Sequence, residues 1–143
     1  MQSQSFTVIT LEWINDLAQN PFPPKSGIYQ IYGNSPIYGF KCLLYIGKAE
    51  NLQKRTHDHE IKGAISFING KSYSYAECPE DQLTLVESIL IATHKPSYNS
   101  QCINTPSNTE TPVMVQNHGE RGALVLQVTN SHWLCQSLTS QAK

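Results

Sequence analysis

The chain has 143 residues, of which 39% are hydrophobic and 15% are charged, and its formal net charge is −1. This balance fits one globular domain with a modest extension and excludes a disordered chain. No apolar run approaches the roughly 20 residues of a membrane-spanning helix. Residues 1–7 also lack the basic and then apolar start of a signal peptide. We therefore expect a cytoplasmic protein that makes no contact with a membrane.

The charge distribution argues both for and against a nucleic-acid partner. A near-neutral chain is unusual for such a protein, because Lys and Arg contacts to phosphate supply most of the non-specific affinity. Between positions 41 and 55, however, four basic residues accompany a single acid. These basic residues are Lys41, Lys48, Lys54 and Arg55. We expect a local basic face that binds nucleic acid weakly and in a salt-sensitive way.

The four cysteines stand far apart, at positions 42, 78, 102 and 135. None forms a Cys-X-X-Cys pair or stands at finger-like spacing from a histidine. The pattern therefore favours free thiols in a reducing compartment over a structural zinc site.

The first element that the pattern predicts is a helix over residues 10–20. Thr10 is a suitable N-cap, and the prolines within residues 21–24 end the helix because proline lacks the N–H donor. The apolar positions that share one helical face are Leu11, Ile14, Leu17 and Ala18.

Two strands follow. Residues 26–32 are β-branched and aromatic, residues 33–36 are rich in turn formers, and residues 40–47 return as a second apolar run. We expect these runs to form an antiparallel hairpin with a long connection.

The middle of the chain predicts a helix, a strand and a second helix. Asn51 is a natural N-cap for a helix over residues 51–62, and residues 73–77 alternate as a strand. A helix over residues 79–94 begins with proline and two acids, as the positive end of a helix dipole favours. The predicted fold is α+β, with a small three-stranded antiparallel sheet flanked by helices.

The C-terminal part differs in composition. Residues 99–112 are rich in Asn, Ser, Thr and Pro and are typical of a linker. Residues 113–115 and 123–128 could then pair as a hairpin. We divide the chain into an N-terminal helix and proline-rich segment (residues 1–25), a main domain (26–100), and a linker with a C-terminal extension (101–143).

Basic residues mark the helix after the second strand. Arg55 and His59 are four residues apart and therefore share one face of that helix. Gly47 and Lys48 precede it, where a glycine permits close approach of a phosphate and the helix N-terminus attracts an anion. The alternative is that Lys54 and Arg55 form only a solvated face.

Glu87 stands at the margin of the apolar stripe of the last helix. A carboxylate beside a core or cleft is costly unless it is paired, protonated or bound to a metal. A structural salt bridge is one interpretation. The other is a hard cation held by one carboxylate and several waters, an arrangement that suits magnesium and leaves room for a phosphate oxygen.

The ordered set of motifs resembles the GIY-YIG nuclease family, which includes homing endonucleases, some restriction enzymes and the incision subunit of bacterial excision repair. Gly27-Ile28-Tyr29 and Tyr45-Ile46-Gly47 match both halves of the family name without substitution. Spacing alone does not distinguish Tyr29 and Tyr45 among the seven tyrosines. The resemblance covers about residues 26–100, and the further positions that carry it are Lys48, Asn51, Leu52, Arg55, His59, Glu87, Pro96, Tyr98 and Asn99.

The resemblance implies a divalent-metal-dependent endonuclease, with double-stranded DNA as the expected substrate and a prokaryotic or phage context. Glu87 would hold one Mg²⁺ or Mn²⁺, and Arg55 would stabilise the charge of the scissile phosphate. Tyr45 or Tyr29 would take a proton from the attacking water, and His59 would orient or assist a tyrosine. The products would carry 5′-phosphate and 3′-hydroxyl ends.

Other roles follow from the same resemblance. Gly47, Lys48 and Lys54 would contact the substrate, whereas Asn99 would fix the end of the helix and take no part in the chemistry. Cleavage of both strands would need two active sites, which a homodimer could supply.

Three alternatives stay open. The chain could be a catalytically silent nucleic-acid-binding module, an RNA-cleaving enzyme, or a structural or interaction protein, and the last is favoured only by the near-neutral charge.

Overall fold

The described strands form one mixed sheet in the computed structural model, which describes residues 7–15, 22–35, 39–55, 70–99 and 112–130. The strands are β1 (Thr7–Asn15), β2 (Gly27–Ser35), β3 (Gly39–Ala49), β4 (Ser72–Glu77), β5 (Val113–Gly119) and β6 (Gln127–Thr129). Their order is β3-β2-β4-β1-β5-β6. The β1–β5 pair is parallel and the other neighbours are antiparallel. The α+β prediction is confirmed, but the predicted three-stranded antiparallel sheet is wrong, because β1, β5 and β6 double its width.

The N-terminal segment is a strand, so the predicted helix over residues 10–20 is wrong for its described part. Ile9, Leu11 and Trp13 are buried, and the intervening Thr10 and Glu12 are exposed. This two-residue alternation belongs to a strand with one buried face. Residues 16–20 lie outside the described part of the chain.

The predicted hairpin is β2 and β3, paired from Gly27↔Ala49 to Ser35↔Gly39. Gly27 is required where β2 meets β4, since a Cβ atom there would lie 2.3 Å from the Ala76 carbonyl oxygen and 2.8 Å from the Leu52 side chain. The first glycine of the motif therefore sets how closely the following helix packs on the sheet.

The structure describes one helix in part and a second helix in full. The first, α1, is helical at residues 52–55, and the rest of the predicted 51–62 helix lies outside the described residues. A short 3-10 turn at Glu80–Gln82 leads into α2, Leu83–His94. Lys95 ends α2 in the left-handed conformation and donates its N–H to the Ile91 carbonyl. In the described part of the chain, no helix has the length and apolar character needed to span a membrane.

The predicted C-terminal hairpin is present as β5 and β6, although β6 is shorter than the predicted run. It joins the main sheet through β1, with register from Thr7↔Val113 to Trp13↔Gly119. Its apolar face contributes to the core under α2, which is built from residues such as Leu11, Ile89 and Val115. A second cluster on the other sheet face contains Phe22, Tyr29, Ile31, Ala49, Leu52 and Tyr75.

Candidate active site

A cleft of about 820 Å³ lies at the β3 edge of the sheet, between the β3–α1 junction and α2. Six of the predicted site residues line it: Tyr45, Lys48, Lys54, Arg55, Glu87 and Asn99. Residues distant in sequence therefore meet because β3 is the outer strand and α2 packs across it. His59 lies outside the described residues, so its predicted role stays a prediction.

Tyr29 lies behind this cleft and connects it to the core. Its side chain is buried, and its ring centroid is 5.9 Å from that of Tyr45. The Arg55 Nε–H donates to the Tyr29 phenol oxygen at 3.3 Å. Burial, and then the neighbouring Tyr45, raise the pKa of Tyr29 far above its usual value of 10, although Arg55 opposes the shift. Tyr29 therefore stays a neutral phenol.

Gly47 provides the space that these two rings occupy. It pairs with Tyr29 across the strands. A Cβ atom at position 47 would lie 2.4 Å from the Tyr29 phenol oxygen and 2.7 Å from Cε1 of Tyr45. Glycine is needed here for tyrosine packing, a role that the sequence analysis did not foresee. Its predicted contact with substrate stays a prediction.

Glu87 is half-buried on α2 and lines the cleft. Burial raises the pKa of its carboxyl group. The Lys48 charge, a hydrogen bond from the Lys48 backbone, and the Arg55 charge all act in the opposite direction. The predicted alternative of a structural salt bridge has no support among the described residues, where Glu87 forms no ion pair.

Lys48 reaches across from β3 to α2. Its Nζ donates to the Thr84 hydroxyl at 2.7 Å, and its side chain is exposed. Thr84 was not predicted as a site residue. Its position three residues before Glu87 on a helix was the available signal, because residues so spaced share a face.

Asn99 binds the outer edge of β3. Its Oδ1 accepts from the Ile46 N–H at 3.0 Å, and its Nδ2 donates to the Ile46 carbonyl at 2.9 Å. The neighbouring Tyr98 N–H donates to the Leu44 carbonyl at 2.9 Å. These bonds satisfy backbone groups of an edge strand and fix the segment after α2 against β3, beside Tyr45.

The cleft has a mixed charge. Among the described residues, the basic side chains that line it are Lys48, Lys54 and Arg55. Three acids line it as well, and they are Glu50, Glu80 and Glu87. The charges of the described lining residues therefore balance, in agreement with the near-neutral sequence.

The donor set restricts the metal that this cleft could hold. The described residues contain no group of three or more His, Cys, Asp or Glu side chains placed to bind one ion. The half-buried Glu87 carboxylate fits a hard cation that keeps most of its waters, which is how Mg²⁺ is commonly bound. The described residues alone do not supply the three or four protein ligands that zinc takes.

Some known proteins are similar in sequence to this chain. No protein-family model matches the chain. The chain is 33% identical over 98 residues to UvrABC system protein C of Bacteroides thetaiotaomicron, a match that covers 63% of this chain and 15% of that protein. It is 38% identical over 85 residues to UvrABC system protein C of Borreliella burgdorferi, covering 54% and 13% of the two chains.

A solved structure is also similar: the GIY-YIG N-terminal endonuclease domain of UvrC from Thermotoga maritima, bound to magnesium as its catalytic divalent cation. The identity is 24%, the alignment covers 55% of this chain and 88% of that chain, and the TM-score is 0.44.

The matches confirm the predicted resemblance to the GIY-YIG nuclease family. Both of these sequence relatives are UvrC proteins. The chain matches only 13–15% of their length.

Proposed function

We propose that this protein is a divalent-metal-dependent endonuclease that hydrolyses phosphodiester bonds in DNA. The observation that carries the proposal is the convergence of Tyr45, Arg55 and Glu87 on one cleft. A phosphodiester hydrolase needs a group that activates water, a cation that stabilises the phosphate and a site for a metal, and these three residues supply them. The sequence relatives are UvrABC system protein C, which supports the same reaction class.

Glu87 is the residue that would hold Mg²⁺ or Mn²⁺. When bound, the ion would supply Lewis-acid stabilisation of charge on the phosphate. Burial raises the pKa of Glu87 although Lys48 and Arg55 act against the shift. The ionised carboxylate is therefore less favourable here than in water, and a bound divalent cation would stabilise it.

Arg55 would bind the scissile phosphate. Its Nε–H is directed to Tyr29, and its guanidinium has further N–H donors for phosphate oxygens. Lys54 and Lys48 line the same cleft and add positive charge along the path of the backbone. Such preorganised donors stabilise negative charge that develops during in-line attack.

Tyr45 is the better of the two candidate bases. It lines the cleft and is partly exposed, whereas Tyr29 is buried and its pKa is raised far above 10. A base must reach the attacking water and must be able to lose its own proton. We therefore assign proton removal to Tyr45, and we assign to Tyr29 the positioning of Arg55. The products would carry 5′-phosphate and 3′-hydroxyl ends, and His59 would assist a tyrosine.

The proposal is tested by incubating the pure chain with supercoiled plasmid and Mn²⁺ or Mg²⁺, with and without chelator. Nicking that the chelator abolishes is the expected result. Retention of plasmid without nicking would contradict the enzyme and favour a silent binding module. A structured RNA assayed in parallel distinguishes the substrate class, and cleavage of the RNA alone would contradict the assignment to DNA.

A further inference from the structure

Lys48 is held at two points by α2. Its backbone N–H is hydrogen-bonded to the Glu87 carboxylate, and its Nζ donates to the Thr84 hydroxyl at 2.7 Å. Thr84 and Glu87 are three residues apart on α2, so both groups lie on the face that borders the cleft.

The ammonium group nevertheless does not pair with the Glu87 carboxylate, which lines the same cleft. Within the described ranges, Lys48 and Glu87 form no ion pair, although the Lys48 charge is close enough to act on the pKa of Glu87. A lysine side chain has four flexible carbons and could turn toward that carboxylate. The Thr84 hydroxyl is the contact that holds it elsewhere.

This arrangement matters because an ammonium paired with Glu87 would compete with a metal ion for the same oxygens. We propose that Thr84 is a positioning residue, whose hydroxyl holds the Lys48 ammonium away from Glu87 and so keeps the carboxylate accessible to the divalent metal. The same contact points the ammonium into the cleft, where a phosphate oxygen can meet it. This inference rests on the proposed function, since it assumes that Glu87 binds a metal.

The test measures metal binding in the absence of nucleic acid. Free Mn²⁺ is determined by its electron paramagnetic resonance signal as the protein is titrated, which yields an apparent Kd that does not depend on catalysis. Thr84→Val removes the hydroxyl and keeps the branched shape, and Thr84 is exposed, so the fold should persist. Thr84→Ser keeps a hydroxyl and is the matched control.

We expect Thr84→Val to raise the apparent Kd for Mn²⁺ by about threefold to tenfold, the range expected when one hydrogen bond to a charged group is lost at an accessible site. Thr84→Ser should stay within about twofold of the wild type, because it retains the acceptor. In a Lys48→Met background, Thr84→Val should have no further effect, since no ammonium remains to compete.

Two results would overturn the inference. One is an unchanged Mn²⁺ affinity in Thr84→Val, and the other is a weakening that persists in the Lys48→Met background. The Glu87→Gln variant separates this failure from that of the proposed function. If Glu87→Gln loses Mn²⁺ binding and Thr84→Val does not, only the role of Thr84 is wrong. If Glu87→Gln binds Mn²⁺ as the wild type does, the metal site and the inference both fail.

Discussion

The polar network around Trp13 and the polar network around Tyr29 differ in how completely they are satisfied. In the first, the Trp13 indole N–H donates to Asn117 Oδ1 at 2.9 Å, and the Asn117 amide donates to the Val125 carbonyl at 2.8 Å. The Val125 N–H in turn donates to His94 Nε2 at 2.9 Å. This network connects β1, β5, the loop before β6 and the end of α2.

The second network borders the cleft. Here Arg55 contacts the Tyr29 phenol at the longer distance of 3.3 Å, and Arg55 is itself exposed. Asn117 is fully buried and its amide bonds on both sides, whereas the guanidinium of Arg55 faces a cleft that a ligand can enter. The first network therefore holds the fold, whereas the second leaves guanidinium donors open to the cleft, where the proposed substrate would bind.

Glu87→Gln should distinguish the cleft from the network that holds the fold most clearly, because it should change activity without lowering stability. Cleavage should fall by at least about 10³-fold, because the ligand of the metal is lost. The melting temperature should be unchanged or higher, since burial disfavours the charge of Glu87. Plasmid nicking and thermal melting measure both effects. Glu80→Gln, which removes the same charge from the same cleft, is the control. Equal activity in both variants would exclude Glu87 as the metal ligand.

The two tyrosines should respond differently to loss of the hydroxyl. Tyr45→Phe should lower the cleavage rate by about 10² or more and remove the rising limb of the pH–rate profile, because the general base is lost. Tyr29→Phe should cost less and keep that limb, since the phenol is buried behind Arg55 and Tyr45 and does not line the cleft. Single-turnover rates across pH would show this, and the opposite ranking would transfer the role of base to Tyr29.

Arg55→Ala should reduce the rate by about 10²-fold with little change in stability, because the exposed guanidinium acts mainly on the phosphate. Lys71→Ala removes the same charge at a position that does not line the cleft and serves as the control. Nicking assays at several salt concentrations distinguish catalysis from binding. A similar loss in both variants would indicate a general effect of charge.

The elements around the cleft were largely predictable from the sequence, because the patterns that indicate them are local. Short windows are enough to recognise the β2 and β3 runs and the prolines and glycines around them. The same holds for the acidic 3-10 turn and for α2, which follows it and ends before Lys95. Glu87 was singled out because it stands at the margin of an apolar stripe, and the structure places it in the cleft lining. Thr84 was missed because a threonine on an exposed helical face has the same appearance as solvent-facing surface.

The strands β1 and β5 were less predictable, because a strand's pairing partner can lie far away in the sequence. In β1, Leu11 and Ile14 satisfied a helical template, although the buried residues alternate as Ile9, Leu11 and Trp13. The strand is stabilised by parallel pairing with β5, where Thr7 meets Val113. No local pattern reports a partner more than 100 residues away, so tertiary pairing overrode the short-range interpretation.

Asn117→Leu should affect stability and leave the cleft intact. The substitution keeps the approximate volume but leaves the Trp13 N–H and the Val125 carbonyl without their partner. A buried polar group without a hydrogen bond costs about 1–3 kcal/mol, so we expect a loss in that range by urea unfolding. The cleavage rate per folded molecule should stay within about twofold of the wild type. A large loss of rate in the folded fraction would mean that the two networks are coupled.

The smallest of these effects should be the contribution of His94 to the pH dependence of stability. The tautomer of His94 is defined by its neighbours. Nε2 accepts from the Val125 N–H at 2.9 Å, so the proton is on Nδ1, which donates to the Leu90 carbonyl at 2.8 Å. Burial lowers the pKa of His94, although the bond to Leu90 opposes the shift. The folded state therefore binds this proton less readily than the unfolded state does, and protonation of Nε2 would remove the acceptor for Val125.

The stability that this histidine contributes should be present above its unfolded pKa of about 6.5 and should be lost as the pH falls toward the lowered value. The loss should be at most about 1 kcal/mol, the net contribution of one hydrogen bond. Urea unfolding at pH 7.5 and at lower pH would measure it, and His94→Gln, which cannot titrate, should not show this component. If the wild type and His94→Gln have the same pH dependence, the bond to Val125 contributes nothing to the connection between α2 and the C-terminal strands.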